Sequence, residues 1–122
     1  MKKVLIADDD RNILYLISEV LTKGSYEVTQ AVNGGHALKL AREIHPDLVV
    51  LDLMMPGVDG LEVLRTLKGD PQTSDIKVVI ISAKTKPEDV ARGLEEGASH
   101  YFTKPFRVTD LTAKIRELLE HS

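Results

Sequence analysis

Five polar residues follow short apolar runs in this chain. Asp8 and Asp9 follow Val4 to Ala7, Asp52 follows Leu48 to Leu51, Ser82 follows Val78 to Ile81, and Lys104 follows His100 to Thr103. If they meet, their chemistry is restricted. Three carboxylates within a few ångströms repel one another and raise one another's pKa. A hard divalent cation relieves that repulsion, and an all-oxygen site suits Mg²⁺, which keeps waters and takes one or two carboxylates plus a phosphate oxygen. Lys104 adds a mobile positive charge and Ser82 a hydroxyl. A carboxylate nucleophile, Mg²⁺, a cation and a hydroxyl are the parts that phosphoryl transfer to an aspartate needs. An Asp-Asp pair alone is ordinarily a loop or cap feature, so the reading depends on convergence.

Convergence requires particular elements. After Val4 to Ala7, the residues Ile13, Leu16, Ile17, Val20 and Leu21 repeat with helical spacing over Asn12 to Leu21. That stripe leaves Leu14 and Tyr15 outside the core, at least partly exposed beside the acidic crevice. Gly24-Ser25 ends the helix, and Tyr26 to Val32 alternates like an edge strand. Asn33-Gly34-Gly35 makes a turn, Ala37, Leu38, Ala41 and Ile44 mark a second helix, and His45-Pro46 closes it. Leu48 to Leu51 is a buried strand. Pro56-Gly57 turns the chain, Asp59 caps a helix over Gly60 to Leu67, and Lys68 to Asp75 is a polar loop. Val78 to Ile81 is the fourth strand. Glu88 to Glu96 is a helix stopped by Gly97, His100 to Thr103 the fifth strand, and Val108 to Leu119 the last helix, with Leu111, Ile115, Leu118 and Leu119 inward.

This alternation predicts an α/β fold, a (βα)5 doubly wound parallel sheet with helices on both faces. For five strands the flavodoxin-like order 2-1-3-4-5 is expected over the alternative doubly wound order. All carboxyl ends then lie on one edge, with the first and third strands adjacent at the switch point where such sheets bind ligands.

The bulk numbers agree with a single domain over residues 1–122 and exclude several classes. The net charge of −3 gives no polyanion-binding character, so no direct nucleic-acid contact is expected. The absence of cysteine removes disulfides, thiolate metal sites and thiol catalysis. No apolar run approaches the ~18 residues of a membrane span. Met1-Lys2-Lys3 runs directly into the first strand rather than into a signal peptide, making a cytoplasmic location the expectation.

The chain resembles the receiver domain of bacterial response regulators over essentially its full length. The matching segments are Val4 to Asp10, Asp52 to Gly60 (DLMMPGVDG), Ile80 to Ala83, Gly97-Ala98, and Tyr101 to Phe106 (YFTKPF). The resemblance implies a two-component signalling switch rather than an enzyme with an external substrate. Asp52 would be the phosphoacceptor, and the only phosphorylated residue, as the one aspartate facing both Asp9 and Lys104. Asp9 would ligate Mg²⁺ directly, Asp8 through water, and Met54 through its backbone carbonyl. Ser82 would be the switch hydroxyl, Ala83 the small residue leaving the phosphate room, and Lys104 the cation pairing with the phosphoryl group, its bond to Pro105 cis. Tyr101 would be the aromatic that swings inward when Ser82 moves. A sensor histidine kinase or histidine phosphotransferase would supply the phosphoryl group and dock near Leu14, Tyr15, Pro105 and Phe106. The surface of the fourth helix, fifth strand and fifth helix would meet an effector or a second receiver, and the domain would assist its own dephosphorylation.

Plainer readings stand beside these. Asp10 is expected as an acidic first-turn residue and Lys84 as either a solvated cation or a residue over the phosphate. His36, His45, His100 and His121 lack metal-ligand spacing. An aspartate-nucleophile phosphatase would want a second acid two residues after its nucleophile, where Met54 stands. A flavodoxin-like carrier would want a Ser, Thr and Gly loop after the first strand, where three aspartates would repel an anion. A degenerate receiver would lack part of the site.

Overall fold

The computed structural model describes residues 1–120; His121 lies outside them. Five strands, β1 (Lys3–Ala7), β2 (Glu27–Ala31), β3 (Leu48–Asp52), β4 (Lys77–Ser82) and β5 (His100–Thr103), alternate with five helices, α1 (Arg11–Lys23), α2 (Gly34–Ile44), α3 (Gly60–Gly69), α4 (Pro87–Glu95) and α5 (Val108–Glu120). The sheet is wholly parallel in the order β2-β1-β3-β4-β5, as expected. The two strands flanking the switch point are nearly or wholly apolar because both faces are covered. Successive side chains of β1 alternate between two cores. Leu5 and Ala7 pack with Ala37, Ala41, Val63 and Leu64 on the α2 and α3 side. Val4 and Ile6 pack with Leu14, Ile17, Leu111 and Ile115 on the α1 and α5 side.

Local chemistry sets the helix starts. The Asp10 carboxylate accepts from the N–H groups of Asn12 and Ile13, so it caps α1 from outside instead of serving as a first-turn acid. Asn33 caps α2 through the His36 N–H, and Asp59 caps α3 through the Leu61 N–H. Pro87 opens α4, where its fixed φ and missing N–H are harmless. Gly97, with φ +113°, ends the α4 connection in a conformation that disfavours other residues.

Helix α1 corrects one expectation. Leu14 is 1% exposed and, with Ile17 and Leu21, faces the core, whereas Leu16 is 52% and Val20 41% exposed. Residues 13–17 read Ile-Leu-Tyr-Leu-Ile, an apolar arc wider than one buried stripe. Two overlapping rows satisfy helical spacing there, and packing against α5 selects the row through Leu14. Leu118 is likewise only partly buried, whereas Leu111, Ile115 and Leu119 are buried as expected.

Tyr26 lies in the α1–α5 core at 6% exposure, and its hydroxyl has no hydrogen-bond partner among the described residues. An unpaired buried hydroxyl costs about 1–3 kcal/mol. Tyr26→Phe is therefore expected to keep or raise stability, by up to about 1 kcal/mol in urea denaturation; a loss of that size would show that the hydroxyl is satisfied.

Candidate functional site at the carboxyl edge of the sheet

Strand register brings the polar residues together. Ala7 lies beside Leu51, Asp52 beside Ile81, and Ser82 beside Thr103. The ladder also continues past the strand ends. The Asp8 N–H donates to the Ala31 carbonyl at 3.1 Å, and the Lys104 N–H to the Ser82 carbonyl at 2.7 Å. The residue after each strand is thus held as firmly as the strand itself, and its side chain emerges at the edge. Gly60 fixes the loop beyond β3: a Cβ there would stand 2.4 Å from the Leu53 Cα and 2.9 Å from the Asp52 carbonyl oxygen, so the start of α3 rides directly on the backbone after Asp52.

Asp8, Asp9 and Asp52 each offer a carboxylate oxygen, all within 4.8 Å of one another. Asp8 is fully buried, Asp52 is 2% exposed and Asp9 is exposed. One Asp8 oxygen accepts from the Asp10 N–H at 2.8 Å and the other from the Lys104 ammonium at 3.1 Å. One Asp52 oxygen accepts from the Met54 N–H at 3.0 Å and the other from the same ammonium at 3.3 Å. Lys104 therefore bridges Asp8 and Asp52. The expectation that Asp52 is the one aspartate facing both Asp9 and Lys104 was too narrow, because Asp8 lies in the same cluster and its oxygen is the nearer to the ammonium, at 3.1 Å against 3.3 Å.

The electrostatics follow from this crowding. Burial, helped by the charge of Asp52, lifts the Asp8 carboxyl to about 6 against the pull of the Asp10 N–H and Lys104. Burial works against the Lys104 charge, but the hydrogen bond to Asp8 and the charges of Asp52 and Asp8 outweigh it and raise its pKa. One ammonium bonds two of the three carboxylates, so the cluster keeps a surplus of negative charge. Its donors are all oxygen, which fits a hard cation. The cluster can hold a metal ion.

Ser82 is fully buried, and its Oγ accepts from the Lys84 N–H at 3.1 Å. The Tyr101 hydroxyl donates to the Lys84 carbonyl at 2.8 Å, with the ring 8% exposed and turned inward. Both polar groups of the Lys84 backbone are thus held, one by Ser82 and one by Tyr101. Ala83 and the Lys84 side chain are exposed at the edge. Lys84, Asp9, Leu53, Met54, Met55 and Asp59 line an open crevice of about 460 Å³. The Lys104–Pro105 bond is cis.

The expected docking residues divide. Leu14 is buried and unavailable as a contact, whereas Tyr15 is 62% exposed. Pro105 and Phe106 line an apolar cleft of about 410 Å³ with Ile13, Leu16 and Ile17. Ile13 and Leu16 were legible as apolar but had been counted in the core; the signal was an apolar arc wider than one helix face can bury. No helix among the described residues is long and apolar enough to cross a membrane.

Residues 4–116 match the model of the response regulator receiver domain. The chain is 42% identical over 122 residues to the DNA-binding dual master transcriptional regulator RpaA of Synechocystis, covering all of this chain and 51% of that protein. It is 38% identical over 121 residues to the DNA-binding response regulator MtrA of Mycobacterium tuberculosis, covering 99% and 52% respectively. The chain spans about half the length of these relatives. The receiver domain of the Francisella response regulator 1452 superimposes with a TM-score of 0.92 at 34% identity, over 99% of this chain and 98% of that one. A sheet order, a strand-edge cluster and full-length likeness all agree: the chain belongs to the response regulator receiver domains of two-component signalling.

Proposed function

We propose that this domain takes a phosphoryl group onto Asp52 from a phosphohistidine, in a Mg²⁺-dependent reaction, and passes the signal to the face formed by α4, β5 and α5. The observation that carries this reading is the Lys104 ammonium lying 3.3 Å from one Asp52 oxygen within a cluster of three carboxylates. An Asp52 oxygen forms the bond to phosphorus as the donor's phosphorus–nitrogen bond breaks and the imidazole leaves. The Met54 N–H holds the other Asp52 oxygen in place. Lys104, raised and reliably charged, follows the negative charge as it grows on the phosphoryl oxygens. Asp9, Asp52 and the Met54 carbonyl would hold Mg²⁺ directly and Asp8 through water. When bound, the ion neutralises charge on both acceptor and donor. The exposed Ala83 leaves the incoming group room.

The donor would be a sensor histidine kinase or histidine phosphotransferase meeting the α1 edge through Ile13, Tyr15 and Leu16 and the loop through Pro105 and Phe106. The expectation of no direct nucleic-acid contact, drawn from the net charge of −3, stands against relatives that are named as DNA-binding proteins and are about twice this chain's length. A cytoplasmic site of action and assisted loss of the phosphoryl group complete the reading. The test is intact mass after incubation with acetyl phosphate or phosphoramidate. A gain of one phosphoryl group is expected with Mg²⁺ and none with chelator; equal labelling in both would overturn the metal requirement.

Switching has its own test. The Ser82 hydroxyl can release the Lys84 N–H and donate to a phosphoryl oxygen, a bond available only after transfer, which is what biases a two-state element. Ser82→Ala should accept phosphate yet respond weakly. If amide shifts on α4 and β5 after beryllofluoride addition match those of the parent, Ser82 is not the coupling residue.

A further inference from the structure

Helix α4 has one buried residue, and it is a glycine, Gly93. Nothing in the backbone demands glycine there, since Gly93 lies in regular helix with no positive φ. In a helix interior glycine is unfavourable relative to alanine. The space around it supplies the reason. A Cβ on Gly93 would stand 2.8 Å from Ile80 Cδ1 and 3.0 and 3.2 Å from Cδ2 and Cε2 of the Tyr101 ring. The α4 backbone therefore lies directly on the inward ring. The same ring donates through its hydroxyl to the Lys84 carbonyl, and the Lys84 N–H is held by Ser82. One continuous set of contacts runs from Ser82 through the Lys84 peptide and the Tyr101 ring to the middle of α4.

We propose that Gly93 is a positioning residue of the switch, its missing side chain letting α4 close over the inward Tyr101 ring and so tying the state of Ser82 to the position of α4. The Ile80 contact involves the end of a flexible side chain, which can give. The ring has less freedom, because its hydroxyl is fixed by a hydrogen bond and the residue is buried. Adding a methyl group at position 93 either lifts α4 from the sheet or turns the ring outward, and both break the link. This inference rests on Asp52 phosphorylation controlling Ser82 and Tyr101.

The chain has three tyrosines, Tyr15, Tyr26 and Tyr101, and no tryptophan. Incorporation of 3-fluorotyrosine thus gives a simple fluorine spectrum, assigned by single Tyr→Phe changes. In Gly93→Ala the Tyr101 resonance should move toward its solvent-exposed position, with a larger H₂O-to-D₂O shift than in the parent. Asp52 should still be labelled by phosphoramidate, while the α4 amide changes induced by beryllofluoride should shrink. Ile80→Val removes the other atom that the new methyl would strike, so Gly93→Ala with Ile80→Val isolates the clash with the ring. In a Tyr101→Ala background, Gly93→Ala should have no further effect on the α4 amides. An unmoved Tyr101 resonance in both Gly93 variants, with normal beryllofluoride-induced changes, would overturn the proposal. An undiminished Gly93→Ala effect without the ring would do the same. Failure of the parent to label at Asp52 would instead overturn the underlying reading, so the two failures are distinguishable.

Discussion

Asp52→Asn is expected to show no phosphoryl mass gain under conditions in which the parent is labelled. The amide that replaces the carboxylate is neutral and a far weaker nucleophile, and it also withdraws one anionic oxygen from the cluster. The structure makes this more than a formality, because Asp8 is also bonded to Lys104 and lies in the same cluster. One feature separates the candidates. Each has both oxygens bonded, Asp8 by the Asp10 N–H and Lys104 and Asp52 by the Met54 N–H and Lys104, but Asp8 is wholly buried whereas Asp52 keeps 2% exposure. Asp9 is exposed but is not among the partners of the Lys104 ammonium. Asp52 combines the Lys104 contact with that small exposure. Unchanged labelling of Asp52→Asn, or labelling that moves wholly to Asp8 in the parent, would sink the assignment. Lys104→Ala should keep measurable labelling but lose the response at α4, because it removes the charge-assisted contact rather than the nucleophile.

Much of this site was legible because strand ends are legible. Short unbroken apolar runs ending at Asp8, Asp52 and Ser82 fix both a buried parallel strand and the residue leaving it, and parallel strands put every such residue on one edge. The cap at Asp59 announces a helix start for the same local reason, whereas Asn33, expected in a turn, proves to cap α2. What could not be read belongs to packing between distant elements. Which row of α1 is buried is decided by α5, far along the chain, and helical spacing alone fits the rows through Ile13 and through Leu14 equally. The double grip of Lys104 on Asp8 and Asp52 was likewise invisible, since sequence places a lysine at an edge without saying which carboxylates it reaches. The Lys84 peptide held by Ser82 and Tyr101 is a product of the β4 and β5 register, and no local pattern marks it.

The second large effect concerns stability and follows from the surplus negative charge. Without metal, folding forces Asp8 into a buried site beside Asp52, and its carboxyl rises from 3.8 to about 6. A raised carboxyl favours the folded state while it is protonated. That contribution is fully present below about 3.8 and is lost as pH rises through about 6. At pH 7.5 in EDTA the parent therefore carries the whole cost of an ionised, buried Asp8. Asp8→Asn removes it, because the amide can still accept from the Asp10 N–H but holds no charge. The variant should melt several degrees higher than the parent, for a gain of roughly 1–3 kcal/mol. At pH 5 the difference should shrink, since the parent's Asp8 is then mostly protonated. Millimolar Mg²⁺ should reverse the ranking at pH 7.5. A ligand that binds only the folded state adds RT ln(1 + [L]/Kd), roughly 1–3 kcal/mol at ~10 to 100 times Kd, and the parent should gain most of it. Asp9→Asn and Asp52→Asn should lose much of the same Mg²⁺ gain, with Asp9→Asn changing the metal-free melt least because that residue is exposed. Thermal melts at the two pH values, with EDTA and with Mg²⁺, measure every part. If the parent shows no Mg²⁺ shift and Asp8→Asn melts lower than the parent in EDTA at pH 7.5, the carboxylates neither repel nor share an ion, and the phosphoryl-transfer reading loses its electrostatic basis.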